Sequence, residues 1–252
     1  MLLFYIRHGD PVYVPDKLTP LGEQQAEAVA QRLACFGIDE IYTSTSNRAI
    51  QTAKPSCELL GLPLQTLDFL NENHLRDFQI PLEGAKANTD WVWSHPIYSQ
   101  IMVSREVRDM GDTWYNHLAL RQFKFERTLN SINQQIDDFL SGYGYEHDKE
   151  KGLYYVKARN YEKRIAIFAH ECIGKIVMSH ILDIPFPSYA AHFEMHTSAI
   201  SVIRFDDGTR STIVDKPFEY ARARVLSLSN DAHLYRESKS INHRFTHLRE
   251  LY

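Results

Sequence analysis

Short apolar runs alternate along the chain with longer segments whose apolar residues recur every three or four positions. Residues 2–6 (LLFYI) and 164–169 (RIAIFA) are the clearest short runs and are typical of strands buried in a sheet. Runs at 40–44 (EIYTS) and 62–67 (LPLQTL) predict two further strands. This alternation of strands with helical segments predicts a largely parallel sheet with helices on both faces.

Four amphipathic segments predict helices between or beside these strands. The first has Thr19 as its N-cap and Pro20 at its first position, and Gly37 is a natural stop. In the second, Pro55 is expected to kink the helix or to divide it. The four predicted helices cover residues 20–36, 47–61, 121–142 and 172–183.

Less regular segments complete the chain, and all of residues 1–252 are interpreted as one domain. Residues 80–120 are interpreted as a helical insertion or lid, with Trp91, Trp93 and Trp114 as its core rather than as a cofactor cage. The polar segment 141–152 reads as a loop or hairpin connection. Three further segments, interpreted as a hairpin of two strands and a possible surface strand, are residues 198–205 (SAISVIRF), 209–215 (TRSTIVD) and 226–231 (LSLSND).

Composition narrows the class of protein. The 252 residues, 44% of them hydrophobic, are enough for one large α/β domain with its own core. A net charge of −4 gives no basic surface, so a nucleic-acid partner is not predicted. No apolar stretch reaches about 18 residues, and the first apolar run is too short for a signal peptide, so no membrane partner is expected. Three widely spaced cysteines match neither a disulfide framework nor a zinc motif, which favours a cytoplasmic location.

Two of the predicted strands end in residues suited to anion binding. The first strand leads into Arg7, His8 and Gly9, and a later one leads into His170. Ligands of parallel sheets bind beyond the carboxyl ends of the strands, and Arg48 opens the second helix at that same edge. Two arginines, two histidines and two helix N-termini together predict a phosphate-type site. The missing side chain of Gly9 would let phosphate approach the backbone.

The chain resembles the histidine phosphatase superfamily, in its phosphoglycerate mutase-like branch. The resemblance covers most of residues 2–80 and 164–205. It implies an α/β three-layer sandwich with a mainly parallel central sheet and a helical insertion. The segments that carry it are IRHG at 6–9, LTPLGEQQA at 18–26, IYTSTSNRAIQTA at 41–53, LNE at 70–72 and IFAHECIG at 167–174.

The resemblance implies a role for each of five residues. His8 matches the histidine that attacks phosphorus, and Arg7 and Arg48 favour its neutral form and bind phosphate oxygens. His170 matches the second histidine, which donates to the phosphate. Glu72, in the L-x-E segment after the third strand, is implied as the acid that protonates the leaving alkoxide. The rival acids are Asp77, Glu83 and Glu171.

The predicted function is hydrolysis of a small phosphorylated substrate through a phosphohistidine, with no cofactor and no metal. One alternative is phosphoglycerate mutase-type phosphoryl transfer, and another is a regulatory protein that binds a phosphorylated ligand without turnover. The segment ENHLRDF at 72–78 lacks a glycine found in the mutase pattern, which weakens the mutase reading. Glu171 stands where relatives usually have glycine, so it either points away or repels highly charged substrates. The physiological substrate and the oligomeric state are not predicted.

Two other chemistries fit the sequence less well. His192 and His196 lie four positions apart in HFEMH, a spacing that one helix face could carry, but no third metal ligand is evident. Cys172 follows a strand as the nucleophile of a cysteine phosphatase does. Val177 occupies the position where that loop requires an arginine. Neither a metal site nor a cysteine nucleophile is therefore predicted.

Overall fold

The computed structural model describes residues 1–82, 89–160, 162–208 and 218–236. Its strands are β1 (Leu2–Arg7), β2 (Pro11–Val12), β3 (Lys17–Leu18), β4 (Glu40–Thr43), β5 (Leu64–Thr66), β6 (Gln79–Pro81), β7 (Thr89–Trp91), β8 (Tyr145–Asp148), β9 (Leu153–Val156), β10 (Arg164–Ala169), β11 (Ile200–Asp206) and β12 (Tyr220–Asn230). The α-helices are α1 (Pro20–Ala34), α2 (Asn47–Leu60), α3 (Pro96–Met102), α4 (Arg105–Asp109), α5 (Phe125–Gly142), α6 (Glu171–Ile181), α7 (Phe186–His192) and α8 (Ala232–Arg236). Among these residues, no helix combines the length and apolar character needed to cross a membrane.

Eight strands form the central sheet, in the order β5-β4-β10-β1-β11-β12-β9-β8. The strands β5, β4, β10 and β1 are parallel to one another, whereas β11 pairs antiparallel with β1 and begins an antiparallel half. The α/β sandwich predicted from the sequence is confirmed, with a mixed sheet whose parallel half includes the first four predicted strands.

Helices cover both faces of the sheet, which explains why β1 and β10 are buried at every position except the first. Phe4 and Ile6 of β1 pack with Val29 and Leu33 of α1 on one face. Tyr5 belongs to the larger core on the opposite face, together with residues of α5, α6 and α7. Alternate side chains of β1 therefore pack into the two cores on opposite faces of the sheet.

Local sequence signals place the start of α1 and the end of α2, but α1 ends at Ala34, two residues before the end expected from Gly37. Thr19 caps α1 by accepting a hydrogen bond from the backbone N–H of Gly22, and Pro20 is the first helical residue. Gly61 ends α2 with a φ of 66°, in the left-handed region that glycine tolerates. Pro55 does not divide the second helix, because α2 continues without a break through this residue. Burial of Ala49 and Ala53 on the same helix outweighs the one backbone donor that proline lacks.

Residues 80–120 contain short helices, as predicted, and their tryptophans are part of the main core. Trp93 and Trp114 are buried, and both rings lie near Phe186 of α7, with centroid distances of 5.7 and 6.0 Å. Trp91 stacks on Trp93 at 5.3 Å. This aromatic packing joins the segment to the helical layer over α6 and α7.

The second half of the sheet differs from the sequence prediction in one pairing. Both edges of β11 are occupied, by β1 and by β12, and β12 contains the LSLSN segment that the sequence offered only as a surface strand. The predicted partner at residues 209–215 lies outside the described residues. The predicted hairpin connection at 141–152 is confirmed only in part: β8 lies within it and pairs antiparallel with β9 across residues 149–152, and α5 extends to Gly142.

Candidate active site

The two histidines that end strands lie side by side at the carboxyl edge of the sheet. They come together because β1 and β10 are adjacent parallel strands, in register up to Arg7 opposite Ala169. The backbone N–H of His8 continues this ladder by donating to the Ala169 carbonyl at 2.9 Å. The ring centroids of His8 and His170 are 5.1 Å apart, and both residues are almost completely buried.

His8 is held in the tautomer that a nucleophile needs. Its Nδ1 lies 2.7 Å from the carbonyl oxygen of Gly9, which can only accept, so Nδ1 carries the proton. The lone pair is therefore on Nε2. Burial lowers the pKa of His8 well below its usual value, and the interactions with His170, Arg7 and Arg48 lower it further. The imidazole is neutral and its Nε2 can act as a nucleophile.

His170 is also neutral, with one nitrogen held and the other unpartnered. Nε2 lies 2.8 Å from the Ser44 hydroxyl and 3.1 Å from the Ser46 hydroxyl. Nδ1 is buried and has no hydrogen-bond partner among the described residues. Burial, opposed by the charge of Glu72, lowers the pKa of His170 to about 4. The Glu72 carboxylate, 3.7 Å from Nδ1, favours the tautomer with the proton on that nitrogen, and a buried polar atom without a partner is costly, so Nδ1 is suited to donate to a ligand.

Arg48 approaches the same pocket from the first turn of α2. Its Nη1 donates to Asp16 at 2.9 Å and its Nη2 to Glu72 at 3.1 Å. The Tyr13 ring lies 5.2 Å from the guanidinium carbon, a cation–π contact. Asp16 and Tyr13 come from the loop between β2 and β3.

Arg7 is paired with the carboxylate of Glu171, the residue that follows the second histidine. Arg7 Nη1 lies 2.5 Å from Glu171 Oε2 and also donates to the Met195 carbonyl. The other Glu171 oxygen lies 3.4 Å from the ammonium of Lys175. Glu171 therefore does not point away from the anion site. It offsets part of the positive charge that Arg7 brings.

Glu72 lies between the arginine and the second histidine. Its Oε2 is 3.7 Å from His170 Nδ1, and its Oε1 accepts from the backbone N–H of Cys172 at 3.1 Å. Burial raises the pKa of Glu72, but the interactions with His170 and Arg48 and a hydrogen bond from Cys172 outweigh it, so the net pKa is lowered. The carboxyl is ionised before substrate arrives.

The rival acids and the cysteine are placed differently. Asp77 is half exposed and pairs with Lys124 at 3.3 Å, so it is not part of this cluster. Glu83 lies outside the described residues. Burial raises the pKa of the Cys172 thiol well above its usual value, and the neighbouring carboxylates of Glu72 and Glu171 raise it further.

The glycine after His8 has a packing role. A Cβ on Gly9 would lie 2.6 Å from the Gly22 carbonyl oxygen, and a Cβ on Gly22 would lie 2.2 Å from the Asp10 carbonyl oxygen. The two glycines therefore let α1 pack directly on the end of β1. Gly9 was expected to make room for phosphate. In the structure, its missing side chain makes room for the backbone of α1.

The HFEMH pair does not share a helix face. α7 ends at His192, and His196 lies beyond it with its Nδ1 3.3 Å from Asp231. The spacing that suggested one face is interrupted because the chain becomes extended at Phe193. The sequence analysis gave no role to Ser44 or Ser46. The spacing of Ser44 from Arg48, in the segment at 41–53, could have indicated that Ser44 lies in the site.

Comparison with known protein families identifies the N-terminal region. Residues 3–110 match the family model described as histidine phosphatase superfamily, branch 1. The probable phosphoglycerate mutase GpmB of Yersinia enterocolitica is 38% identical over 79 residues, which are 28% of this chain and 37% of that protein. The PE-PGRS family protein PE_PGRS11 of Mycobacterium tuberculosis is 37% identical over 90 residues, or 31% of this chain and 15% of that protein. The chain thus spans well under two thirds of these curated relatives.

Solved structures show the same fold over most of the chain. Phosphoserine phosphatase from Entamoeba histolytica, in complex with 3-phosphoglyceric acid, has a TM-score of 0.56 and 18% identity, covering 92% of this chain and 98% of that one. Mycobacterial glucosyl-3-phosphoglycerate phosphatase has a TM-score of 0.55 and 17% identity, covering 91% and 98%. The two solved structures are phosphatases by name, and at this identity they show a shared fold. Residues 3–110 of the chain are thus similar to the histidine phosphatase superfamily, and the fold agrees with that similarity.

Proposed function

We propose that the protein hydrolyses a small phosphomonoester through a phosphohistidine formed on His8. The observation that carries the proposal is the state of the two histidines. His8 presents a neutral Nε2 into a buried pocket, and the unpartnered Nδ1 of His170 belongs to a ring 5.1 Å away. One ring is arranged to attack phosphorus and the other to hold a phosphate oxygen.

When substrate binds, its phosphate group takes the place of carboxylates as the partner of the two arginines. Arg7 and Arg48 are paired with Glu171, Asp16 and Glu72 in the free protein. Phosphate oxygens compete for the same guanidinium N–H groups, since arginine binds phosphate as readily as carboxylate. The buried Nε atoms of both arginines have no hydrogen-bond partner among the described residues, so they are further donors for the ligand.

The proposed reaction has two displacements at phosphorus. In the first, His8 Nε2 forms the N–P bond as the ester P–O bond breaks, and the leaving alkoxide takes a proton from Glu72. That proton is taken up when the bound phosphate raises the Glu72 pKa. In the second, water gives a proton to Glu72 and attacks phosphorus, which releases inorganic phosphate and His8.

The deciding experiment measures the fate of the phosphoryl group with purified protein and a panel of phosphorylated metabolites. Phosphoserine and phosphoglycerate derivatives come first, because the names of the solved relatives refer to them. Release of inorganic phosphate supports the hydrolase. Isomerisation that depends on a bisphosphate primer supports the mutase alternative, and tight binding without turnover supports a regulatory protein.

Turnover is expected to survive removal of divalent metal ions. Arginine and histidine side chains supply the positive charge at this site that a metal supplies in other phosphatases. Phosphate release is measured before and after treatment with a chelator and dialysis, at a temperature where the protein stays folded. Complete loss of activity that one added divalent ion restores would contradict the expectation.

Removing the charge of Glu171 is expected to strengthen anion binding. Glu171→Gln keeps the size of the side chain but frees Arg7 from its carboxylate partner. Inhibition by inorganic phosphate or vanadate should tighten about three- to tenfold, as for one charge removed a few ångströms from an anion. Glu27→Gln, an exposed position on α1, is the matched control. Weaker inhibition in Glu171→Gln would show instead that the carboxylate mainly orients Arg7.

A further inference from the structure

Three metal-ligating side chains meet at the end of α6 that is remote from the active site. They are Asp137 from α5, His147 from β8 and His180 from the last turn of α6. His170 and His180 stand at opposite ends of that helix, roughly 15 Å apart at 1.5 Å per residue. The chemistry proposed for the phosphate pocket therefore does not use this cluster.

The donor atoms of the cluster converge on one point. Asp137 Oδ1 lies 3.2 Å from His147 Nδ1 and 2.6 Å from His180 Nε2. One donor atom from each residue can be chosen so that all three lie within 4.8 Å of one another. Ligands at 2.0–2.1 Å from a tetrahedral metal are about 3.3–3.4 Å apart, so the Asp137–His147 distance already fits and the Asp137–His180 distance would lengthen by about 0.7 Å.

A second ring of contacts orients these groups as in a metal site. The Asp183 carboxylate holds the remaining nitrogen of His147, with Oδ2 at 3.0 Å from Nε2. Lys149 Nζ lies 3.1 Å from the second oxygen of Asp137. The Tyr154 ring stacks on His147 at 4.6 Å. In metal sites, a carboxylate usually accepts a hydrogen bond from the histidine nitrogen that does not bind the metal. The contact of Asp183 with Nε2 therefore assigns Nδ1 of His147 as the metal ligand.

We propose that Asp137, His147 and His180 bind a divalent transition metal ion of the zinc class. Two imidazoles and one carboxylate suit such a metal, and three protein ligands leave a position for water. The side chain of Asp137 is 15% exposed, which gives the ion access from the surface cleft beside it. The ion joins α5, the β8–β9 hairpin and the end of α6, so its role is to stabilise this region.

Without a metal, the same groups form a hydrogen-bonded ion-pair network. Burial lowers the pKa of His147, but its hydrogen bonds to Asp137 and Asp183 outweigh this and raise it to about 9. A proton shared in this network is thus the competing account of the cluster. The two accounts differ in whether Zn²⁺ binds tightly and at these residues.

The test is a metal titration of the full chain after chelator treatment. Zn²⁺ is followed by calorimetry, and Co²⁺ by the visible absorption of a tetrahedral site. We expect one equivalent to bind with a dissociation constant below about 10 µM, and Zn²⁺ to raise the thermal unfolding temperature by linkage. His147→Gln and His180→Gln should each weaken binding at least tenfold. His192→Gln, an exposed histidine on α7, should bind as the unchanged protein does.

The controls separate this site from the phosphate pocket and from misfolding. His8→Ala should leave the affinity unchanged; loss of binding only in that variant would overturn the proposal. So would the absence of binding by the unchanged protein up to about 100 µM Zn²⁺. Asp183→Asn keeps all three ligands and removes only the supporting charge. If the histidine variants do not fold, a roughly tenfold weaker affinity in Asp183→Asn supports the site, and an unchanged affinity overturns it.

Discussion

Replacing His8 with alanine is expected to abolish the phosphoenzyme and to slow turnover by a factor on the order of 10⁴ or more. The variant removes Nε2 of His8, which among the described residues of the pocket is the neutral nitrogen left to attack: His8 Nδ1 is hydrogen-bonded to the Gly9 carbonyl, and His170 Nε2 lies against two serine hydroxyls. The core should tolerate the change, because the backbone bond from His8 to Ala169 remains.

Phosphohistidine is labile in acid and stable in base, which defines the measurement. Turnover of a ³²P-labelled substrate is stopped in alkali within milliseconds, and the labelled peptide is mapped at alkaline pH. The label should lie on the N-terminal peptide that contains His8. In His170→Ala it should form more slowly but at the same place, because His170 is proposed to hold phosphate and not to carry it.

His192→Ala, at an exposed position on α7, serves as the control and should label normally. A label that persists in His8→Ala would overturn the proposed mechanism. The same conclusion would follow if the label mapped to His170 or Cys172. No label in any variant, with turnover intact, would point to direct attack by water.

Replacing Glu72 with glutamine is expected to slow alkyl esters far more than activated aryl esters. Glutamine can still accept from the Cys172 N–H and lie beside Arg48, so the pocket should keep its shape. It cannot donate a proton in the way a carboxylic acid does. General acid catalysis is worth about 10²–10⁴ in rate, and this loss should fall on substrates whose leaving alkoxide requires the proton.

The two proposed displacements have to be measured separately, because the proposal gives Glu72 a role in both of them. With 4-nitrophenyl phosphate, the rate of the first burst of nitrophenol reports phosphorylation alone, and it should fall less than about tenfold in Glu72→Gln. The phosphoenzyme should then accumulate, since activation of water is slowed. Glu171→Gln is the matched control, because it removes a charge from the same pocket without removing the acid. Equal losses on alkyl and aryl esters would refute the role of Glu72.

The strands and helices that carry the site could be predicted from the sequence, because the patterns that mark them involve only neighbouring residues. Apolar runs marked β1 and β10, and both end one residue before a histidine. Thr19, Pro20 and Gly61 mark helix ends through backbone chemistry that involves only a few neighbouring residues. Assigning Glu72 needed the family resemblance, because several acids follow the third strand and spacing alone does not distinguish them.

Where the prediction failed, the deciding contacts join residues far apart in the chain. β12 is polar on much of its length and is a strand because it pairs with β11. The role of Glu171 depends on Arg7, 164 positions away, and the serines that hold His170 lie more than 120 positions before it. Pro55 stays within a helix because packing outweighs a local preference.

By itself, the sequence determined the parallel strands, their helices and the two strand-end histidines, since periodicity and capping are properties of neighbouring residues. Only the tertiary structure decided that β1 and β10 are adjacent, which brings His8 and His170 to 5.1 Å. It also decided the charge balance of the pocket, where each arginine already has a carboxylate partner. Asp137, His147 and His180 carry no motif, and they meet only because α5, β8 and α6 pack together. Coulomb interactions and metal coordination depend on distances in space, and the order of residues along the chain does not contain these distances.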